Sequence, residues 1–361
     1  MTHETFMAMA LSEAEKGCGW VSPNPMVGAV IVKNGAVIGK GYHERFGGRH
    51  AEINALENCT ENPRNATLYV TLEPCCHHGK TPPCTDAIIE SGISDVVVGV
   101  LDPNALVSGK GLEALRCHGI RVVSGILEQA CRTLNDVFFH FITTHTPYVV
   151  LKYAMTLDGK SSTRTGKSRW ITGEEAREYV HRMRHRYMGI MTGVGTVIAD
   201  DPMLSCRLPG HKNPVRIICD SSLSIPIDSK IVSSAVAIQT YIATSAPPSE
   251  KADQLIKKGI GLIAVSGQNG RLNLRELMQK LGALGLDSIL LEGGPSLNAA
   301  ALECGIVNRV CAFIAPTIFG GEAAKTPVGG SGVESPGDAD LLKNGRVTAL
   351  GRDFLFDYRL K

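Results

Sequence analysis

Four residues in the N-terminal third are set apart by their types and their order. His50-Ala51-Glu52 is followed by Glu73-Pro74-Cys75-Cys76, and Cys84 closes the loop, with eight residues between it and Cys75. One imidazole and two thiolates are three ligands for a tetrahedral Zn²⁺. They leave the fourth position open to water, as in a catalytic rather than a structural site. Glu52, two residues past His50, is badly placed to ligate beside it. It is well placed to take a proton from that water and pass it to a leaving amine. Cys76 directly follows Cys75, so spacing allows either sulfur; Cys75 is preferred because it follows Pro74.

This order, histidine-x-glutamate and then proline-cysteine, is that of zinc deaminases, whose second half ends P-C-x-x-C; here the return to the second sulfur is longer. Taken singly, such residues are ordinarily reduced core cysteines and a surface histidine. Their joint order argues for a catalytic metal.

The elements around them follow from periodicity. Residues 3–16 read as an amphipathic helix, and residues 29–33 and 36–39 as a hairpin turning at Asn34-Gly35. Helix 50–58 begins at His50, strand 67–72 delivers Glu73, and helix 84–91 begins at Cys84. The ligands therefore fall at element ends, where helix N–H groups favour thiolate. Strand 95–100, helix 109–118, strand 120–124 and a helix over 127–141 complete a mixed sheet covered on both faces. Asn24, between Pro23 and Pro25, is either a turn former or an amide presented to a ligand. His43 is a surface or a site residue. Asp102-Pro103-Asn104 lies just past a strand's carboxyl end, where ligands bind in open α/β sheets. His77 and Lys80 could face an anionic group or simply be solvated.

Near Pro147 the pattern restarts with a buried strand from Tyr148, and the alternation continues through a helix at 174–186 and strands at 188–193, 215–219, 240–243, 260–265 and 288–292. Two strands, 307–314 and 353–359, finish the chain. Glycine-rich junctions at Thr192-Gly193-Val194-Gly195-Thr196 and Glu292-Gly293-Gly294-Pro295-Ser296-Leu297 each leave a strand and enter a helix, where backbone N–H groups can approach a phosphate. Glycine at such turns is also common for steric reasons alone. Asp200-Asp201-Pro202, followed by Leu204 and Arg207, gathers charges after the first junction. Arg184 and Arg207 are candidates for bidentate phosphate binding. Trp170, in a polar segment from Ser168 to Thr172, is placed to meet a ligand.

Bulk numbers narrow the partners. A chain of 361 residues has room for two domains, and 43% hydrophobic with 20% charged is a globular composition. A net charge of +2 offers no field for nucleic acid or an anionic membrane. Eleven scattered cysteines, with no basic and apolar leader and no apolar run of about 18 residues, suit a reducing cytoplasm.

Together the two halves resemble the bifunctional riboflavin-biosynthesis enzymes, in which a diaminohydroxyphosphoribosylaminopyrimidine deaminase is joined to a 5-amino-6-(5-phosphoribosylamino)uracil reductase. The carriers are Asn24 to Gly28, His50-Ala51-Glu52, the Glu73 to Cys84 loop, Leu151-Lys152 through Leu157-Asp158-Gly159-Lys160, Ser168 to Thr172, Asp200-Asp201-Pro202 and Glu292-Gly293-Gly294. The long cysteine loop is that family's own form of the motif.

The resemblance implies an α/β chain of two domains. The first, residues 1–145, would be a cytidine-deaminase-like three-layer αβα domain that deaminates a pyrimidine with zinc. The second, residues 146–361, would be a dihydrofolate-reductase-like α/β domain that reduces with NADPH. By that likeness zinc lies on His50, Cys75 and Cys84, with Glu52 as proton donor. NADPH lies against Ala154, Trp170, Thr196, Asp200 and the run Gly294, Pro295, Ser296, Leu297, Asn298, Ala299 and Ala300. The reductase substrate meets Ser168, Arg184, Leu204, Arg207 and Glu292, and the deaminase substrate Asn24, His43, Lys80, Asp102 and Asn104. Thr156 stands where serine is expected and keeps the hydroxyl. The expected partners are small phosphoribosylaminopyrimidines, with no nucleic acid and no membrane, and the expected state is a cytoplasmic homo-oligomer.

Overall fold

The computed structural model describes residues 1–76, 82–104 and 108–360. They form two compact units, Met1–His145 and Thr146–Lys361.

In the first unit, α1 (His3–Glu15) precedes the hairpin β1 (Gly28–Lys33) and β2 (Ala36–Tyr42), α2 (Ala51–Glu57), β3 (Thr67–Leu72) and α3 (Cys84–Glu90). Then come β4 (Asp95–Val100), α4 (Lys110–Cys117), β5 (Arg121–Ser124), α5 (Glu128–Leu134) and α6 (Asp136–Thr144). The sheet order is β2-β1-β3-β4-β5. Strand β1 is antiparallel to both neighbours, while β3, β4 and β5 run parallel. The Val96-Val97-Val98 run of β4 is buried on both faces, as a covered parallel strand requires.

Two glycines on β2 set the position of the helix that matters most. A Cβ at Gly41 would lie 2.3 Å from the Ala55 nitrogen and 2.5 Å from the Ala51 oxygen, and one at Gly39 2.4 Å from the Ala55 oxygen. Helix α2 therefore rests backbone to backbone on β2, which fixes where His50 and Glu52 stand.

The single helix expected over 127–141 is two helices, broken at Asn135 (φ −108°, ψ 25°). The reason is a tertiary contact that periodicity does not register. Buried Asn135 accepts from the Met26 N–H (2.8 Å) and donates to the Met26 carbonyl (2.9 Å). Its amide thus pairs with the loop carrying Asn24 as a strand backbone would.

In the second unit, β6 (Tyr148–Thr156), α7 (Glu174–Arg186), β7 (Gly189–Gly193), α8 (Val194–Asp200), β8 (Val215–Cys219), α9 (Lys230–Ser233) and β9 (Thr240–Thr244) come first. They are followed by α10 (Glu250–Lys257), β10 (Ile260–Ala264), β11 (Gly267–Gln268), β12 (Arg271–Leu272), α11 (Leu274–Ala283), β13 (Ser288–Leu291) and α12 (Pro295–Glu303). Strands β14 (Val307–Ala315), β15 (Lys343–Leu350) and β16 (Asp353–Arg359) close the unit. The main sheet runs β10-β9-β8-β7-β13-β6-β14-β16-β15, parallel from β10 to β14 and antiparallel over β14, β16 and β15. Two expected final strands are in fact three. Strand β15 is almost wholly exposed and carries Lys343-Asn344-Gly345, so it lacks the alternation that announces a strand.

Candidate active sites

In the first unit His50 is the N-cap of α2, Cys75 follows β3, and Cys84 opens α3. The His50 Nδ1 is 3.2 Å from the Cys84 Sγ and 3.5 Å from the Cys75 Sγ, and all three ligand atoms lie within 4.8 Å of one another. This is the N/S donor set of a three-ligand zinc site. The Cys84 thiol, His50 and the Cys84 N–H (3.4 Å) all hydrogen-bond the Cys75 sulfur, and they bring it down to about 4. Of the two adjacent cysteines, Cys75 is the one in the cluster; Cys76 has its thiol pushed up by burial and by Glu73.

Glu52 lies in the first turn of α2 and is buried. Burial, with the Cys75 sulfur beside it, raises its carboxyl to about 7. A carboxyl near neutrality can both take and give a proton.

Around this cluster, buried His43 hydrogen-bonds the Arg49 carbonyl through Nδ1 (2.8 Å). That makes its Nε2 the acceptor for the Asn24 amide (3.1 Å). The Asn24 amide is thereby oriented. Asp102 is buried and accepts the Asn104 N–H (2.8 Å). Glu73, unmarked in the sequence beyond its place before Pro74, holds the neighbouring segment. Its carboxylate accepts from the N–H groups of Asp102, Gly109, Gly111 and Leu112 at 3.0 to 3.4 Å. It therefore caps α4, whose own N-cap, Gly109, has no side chain to do so. Lys80 and His77 lie outside the described residues.

The second unit has a cavity of about 740 Å³ where β6, β7, β8 and β13 end. Ala154, Ser168, Thr196, Asp200, Glu292, Gly294, Pro295, Ser296, Leu297, Asn298 and Ala300 border it. The two glycine junctions face the same space because β7 and β13 are adjacent parallel strands. Helices α8 and α12 start there from Gly193 and Gly294, without side-chain caps. A Cβ at Gly195 would meet nothing within 4 Å. Buried Asn298 has its Oδ1 unpartnered among the described residues, and a Cβ on Gly293 would sit 2.5 Å from that atom. Open space, bare helix starts and an orphaned amide oxygen suit a dinucleotide with its pyrophosphate.

Glu292 is the charged floor of the cavity. Arg184 binds it bidentately (2.8 and 3.0 Å) and the Lys152 ammonium stands 3.5 Å away. Burial would raise this carboxyl, but the two cations hold it at about 2. Arg184 also donates to the Ser205 carbonyl (3.0 Å), and Arg207 turns to His181. Leu204 and Ala299 are buried in the fold, and Trp170 is 62% exposed with the Arg177 guanidinium 4.8 Å from its ring centroid. Arg184, Leu204, Arg207, Ala299 and Trp170 do not border the cavity. Lys152, Asp220, Ser221, Ser222 and Arg271 do, and carried no assigned role from sequence. The carboxyl end of β8 would have pointed to Asp220 and its neighbours. Nothing in a two-residue strand points to Arg271.

A His-Cys-Cys ligand cluster at helix starts beside a buried acid, and a sheet-end cavity with uncapped helix starts, fit a hydrolytic deaminase unit joined to a nucleotide-dependent reductase unit. Family models agree: residues 1–100 match the cytidine and deoxycytidylate deaminase zinc-binding region, and residues 147–356 match the RibD C-terminal domain. The chain is 51% identical to the riboflavin biosynthesis protein RibD of Actinobacillus pleuropneumoniae, over 99% of this chain and 95% of that one. The RibD of Escherichia coli is 36% identical over 98% of each chain. A diaminohydroxyphosphoribosylaminopyrimidine deaminase/5-amino-6-(5-phosphoribosylamino)uracil reductase of Thermotoga maritima superposes with a TM-score of 0.89 at 38% identity, covering 99% of both chains.

The chain belongs to the RibD family of riboflavin biosynthesis proteins. It is a bifunctional deaminase and reductase that uses Zn²⁺ and NADPH. No described helix is long and apolar enough to cross a membrane.

Proposed function

We propose that the first unit hydrolyses the ring amine of 2,5-diamino-6-(ribosylamino)-4-pyrimidinone phosphate and that the second reduces the ribosyl side chain of the product to ribityl. The observation that carries this reading is the convergence of His50, Cys75 and Cys84 on one point beside buried Glu52. Those three residues would hold the zinc, a Lewis acid that lowers the pKa of a water from about 15.7 toward about 7. Glu52 takes a proton from the attacking water and delivers it to the departing amine. The ring carbon exchanges C–N for C–O, and ammonia leaves. Asn24, its amide set by His43, presents its oxygen to the pyrimidine's donors. Asp102 and Asn104, joined through the Asn104 N–H, complete that pocket.

In the second unit, Ala154, Thr196, Asp200, Gly294, Pro295, Ser296, Leu297, Asn298 and Ala300 border the cavity that would hold NADPH, and the chemistry this cofactor would supply is hydride transfer to the first carbon of the ring-opened ribose. The uncapped N–H groups at the starts of α8 and α12 would bind the cofactor's phosphates. Glu292, kept ionised by Arg184 and Lys152, accepts hydrogen bonds from the ribosyl hydroxyls. Ser168 borders the cavity beside Glu292; Arg184, Leu204 and Arg207 do not border it, and exposed Arg207 would meet the phosphate of the bound substrate. The same reading makes the enzyme a cytoplasmic homo-oligomer, and exposed Val347 on β15 and Phe354 on β16 offer an apolar contact to a second copy.

The test follows ammonia and NADPH separately. A Glu52→Gln protein should keep stoichiometric zinc, release no ammonia from the diamino nucleotide and still oxidise NADPH with the deaminated nucleotide. Ammonia release at the wild-type rate would refute the assignment.

A further inference from the structure

Helix α7 grips the segment 205–207 at three points. The Arg184 guanidinium donates to the Ser205 carbonyl (3.0 Å), the Cys206 thiol donates to the His181 carbonyl (3.3 Å), and the His181 ring meets Arg207. Both the Nε and an Nη of Arg207 lie at hydrogen-bond distance from the His181 Nε2, at 3.2 and 3.1 Å. Nε2 faces two guanidinium N–H groups and Nδ1 one backbone N–H, that of Arg207 at 3.3 Å; the lone pair sits on Nε2, where the two donors converge, and the ring proton on Nδ1, which hydrogen-bonds the Ser205 backbone. His181 is buried and Arg207 is exposed. The ring is thus a fixed support for a cation that faces outward.

The imidazole is neutral. Burial, then Arg184 and Arg207, bring it down to about 4, against a smaller opposing pull from Glu292. The contrast with the neighbouring arginine is informative. Arg184 is oriented by a carboxylate, Glu292, and its charge is largely cancelled there. Arg207 is oriented by an acceptor that carries no charge, so it keeps its full positive charge for an anion.

We infer that His181 is a positioning residue of the reductase: a neutral acceptor that aims the Arg207 guanidinium at the substrate's phosphate without neutralising it. This rests on the reading that Arg207 meets that phosphate. It predicts that the identity and charge of residue 181 control recognition of the phosphorylated substrate and not hydride transfer.

The experiment measures reductase kcat and KM for the deaminated phosphoribosyl nucleotide, with inorganic phosphate as a competitive inhibitor, in four full-length proteins. The unfolding transition of each chain serves as the control for folding of the second unit, and ammonia release as that for the first. His181→Leu, which removes the acceptor, and His181→Glu, which cancels the charge, should each raise KM and the phosphate inhibition constant about tenfold, the equivalent of one charge-assisted hydrogen bond. In both, kcat should stay within about twofold, about the scatter of a contact that adds nothing. His181→Gln, an uncharged acceptor, should restore tight binding. Arg207→Met should raise both constants at least as far. Wild-type KM in the Glu variant would overturn the inference, and this arm holds even if the Leu variant fails to fold. Wild-type constants in Arg207→Met would instead remove the phosphate reading beneath it. A raised KM in Arg207→Met with unchanged His181 variants would sink the positioning role alone.

Discussion

Replacing Asn135 with alanine should impair deamination from outside the metal site. Asn135 is 2% exposed, and its amide accepts from the Met26 N–H at 2.8 Å and donates to the Met26 carbonyl at 2.9 Å. Alanine leaves both main-chain groups without these partners. An unsatisfied buried donor or acceptor costs about 1–3 kcal/mol. The half-buried loop can recover part of that through water, so the first unit should lose about 2–4 kcal/mol. Asn24 rides on this loop, two residues before Met26, and reaches His43 at 3.1 Å. The deaminase KM should therefore rise, by roughly tenfold for about 1.4 kcal/mol of lost positioning. Zinc content should be unchanged, because His50, Cys75 and Cys84 stand on α2, α3 and the end of β3. Asn135→Asp keeps one acceptor and loses the donor, so it should fall between. The assay is ammonia release against nucleotide concentration, with NADPH oxidation by the same chain as the control and calorimetry for stability. Wild-type KM together with an unchanged unfolding transition would refute the view that this amide holds the substrate loop.

Two further outcomes follow from the geometry. The Glu292 carboxyl sits at about 2 in the fold against 4.5 for an ordinary glutamate, a preference for the ionised form of about 3 kcal/mol. Its folded value is depressed, so the stabilisation is present above pH ~4.5 and is lost as pH falls toward ~2. Urea midpoints for the second unit, read by amide exchange in β6 and β13, should drop over that window. Glu292→Gln should flatten the drop and weaken the unit at neutral pH by leaving Arg184 and Lys152 unbalanced; a parallel pH profile in the variant would contradict the triad. At Gly111 a Cβ would lie 2.2 Å from the Pro74 carbonyl oxygen. Gly111→Ala must push α4 away from the segment leading into Cys75, and competition against a chelator should show zinc affinity lowered about tenfold or more. Undiminished affinity with full ammonia release would show that this contact carries no load.

The difference between what was legible in the sequence and what was not follows the range of the interactions. Strands such as Asp95–Val100 and Val215–Cys219 end where the pattern puts them, because a covered parallel strand is an unbroken apolar run. His50, Glu52, Cys75 and Cys84 were readable because metal chemistry fixes residue types at short spacings. Asn135 was not, since a polar residue in a helical pattern gives no hint that it will pair with a backbone 109 positions away. Glu73 was hidden for the same reason: its partners lie 29 to 39 residues downstream. His181 looked like one more polar residue on a charged helix. Its role appears only when the segment 205–207 folds back on α7.

The two active sites use the same local device for different chemistry. In the first unit His50 caps α2 and Cys84 begins α3, so polar or ionisable side chains sit where free N–H groups emerge, and a thiolate gains from them. In the second unit the corresponding starts, at Gly193 and Gly294, carry no side chain at all. The N–H groups there remain open to a phosphate oxygen supplied from outside. Whether a strand-to-helix junction becomes a metal site or a nucleotide site is thus decided at one or two positions. A cysteine or histidine brings the ligand atom with it, whereas a glycine leaves room for the ligand to bring its own.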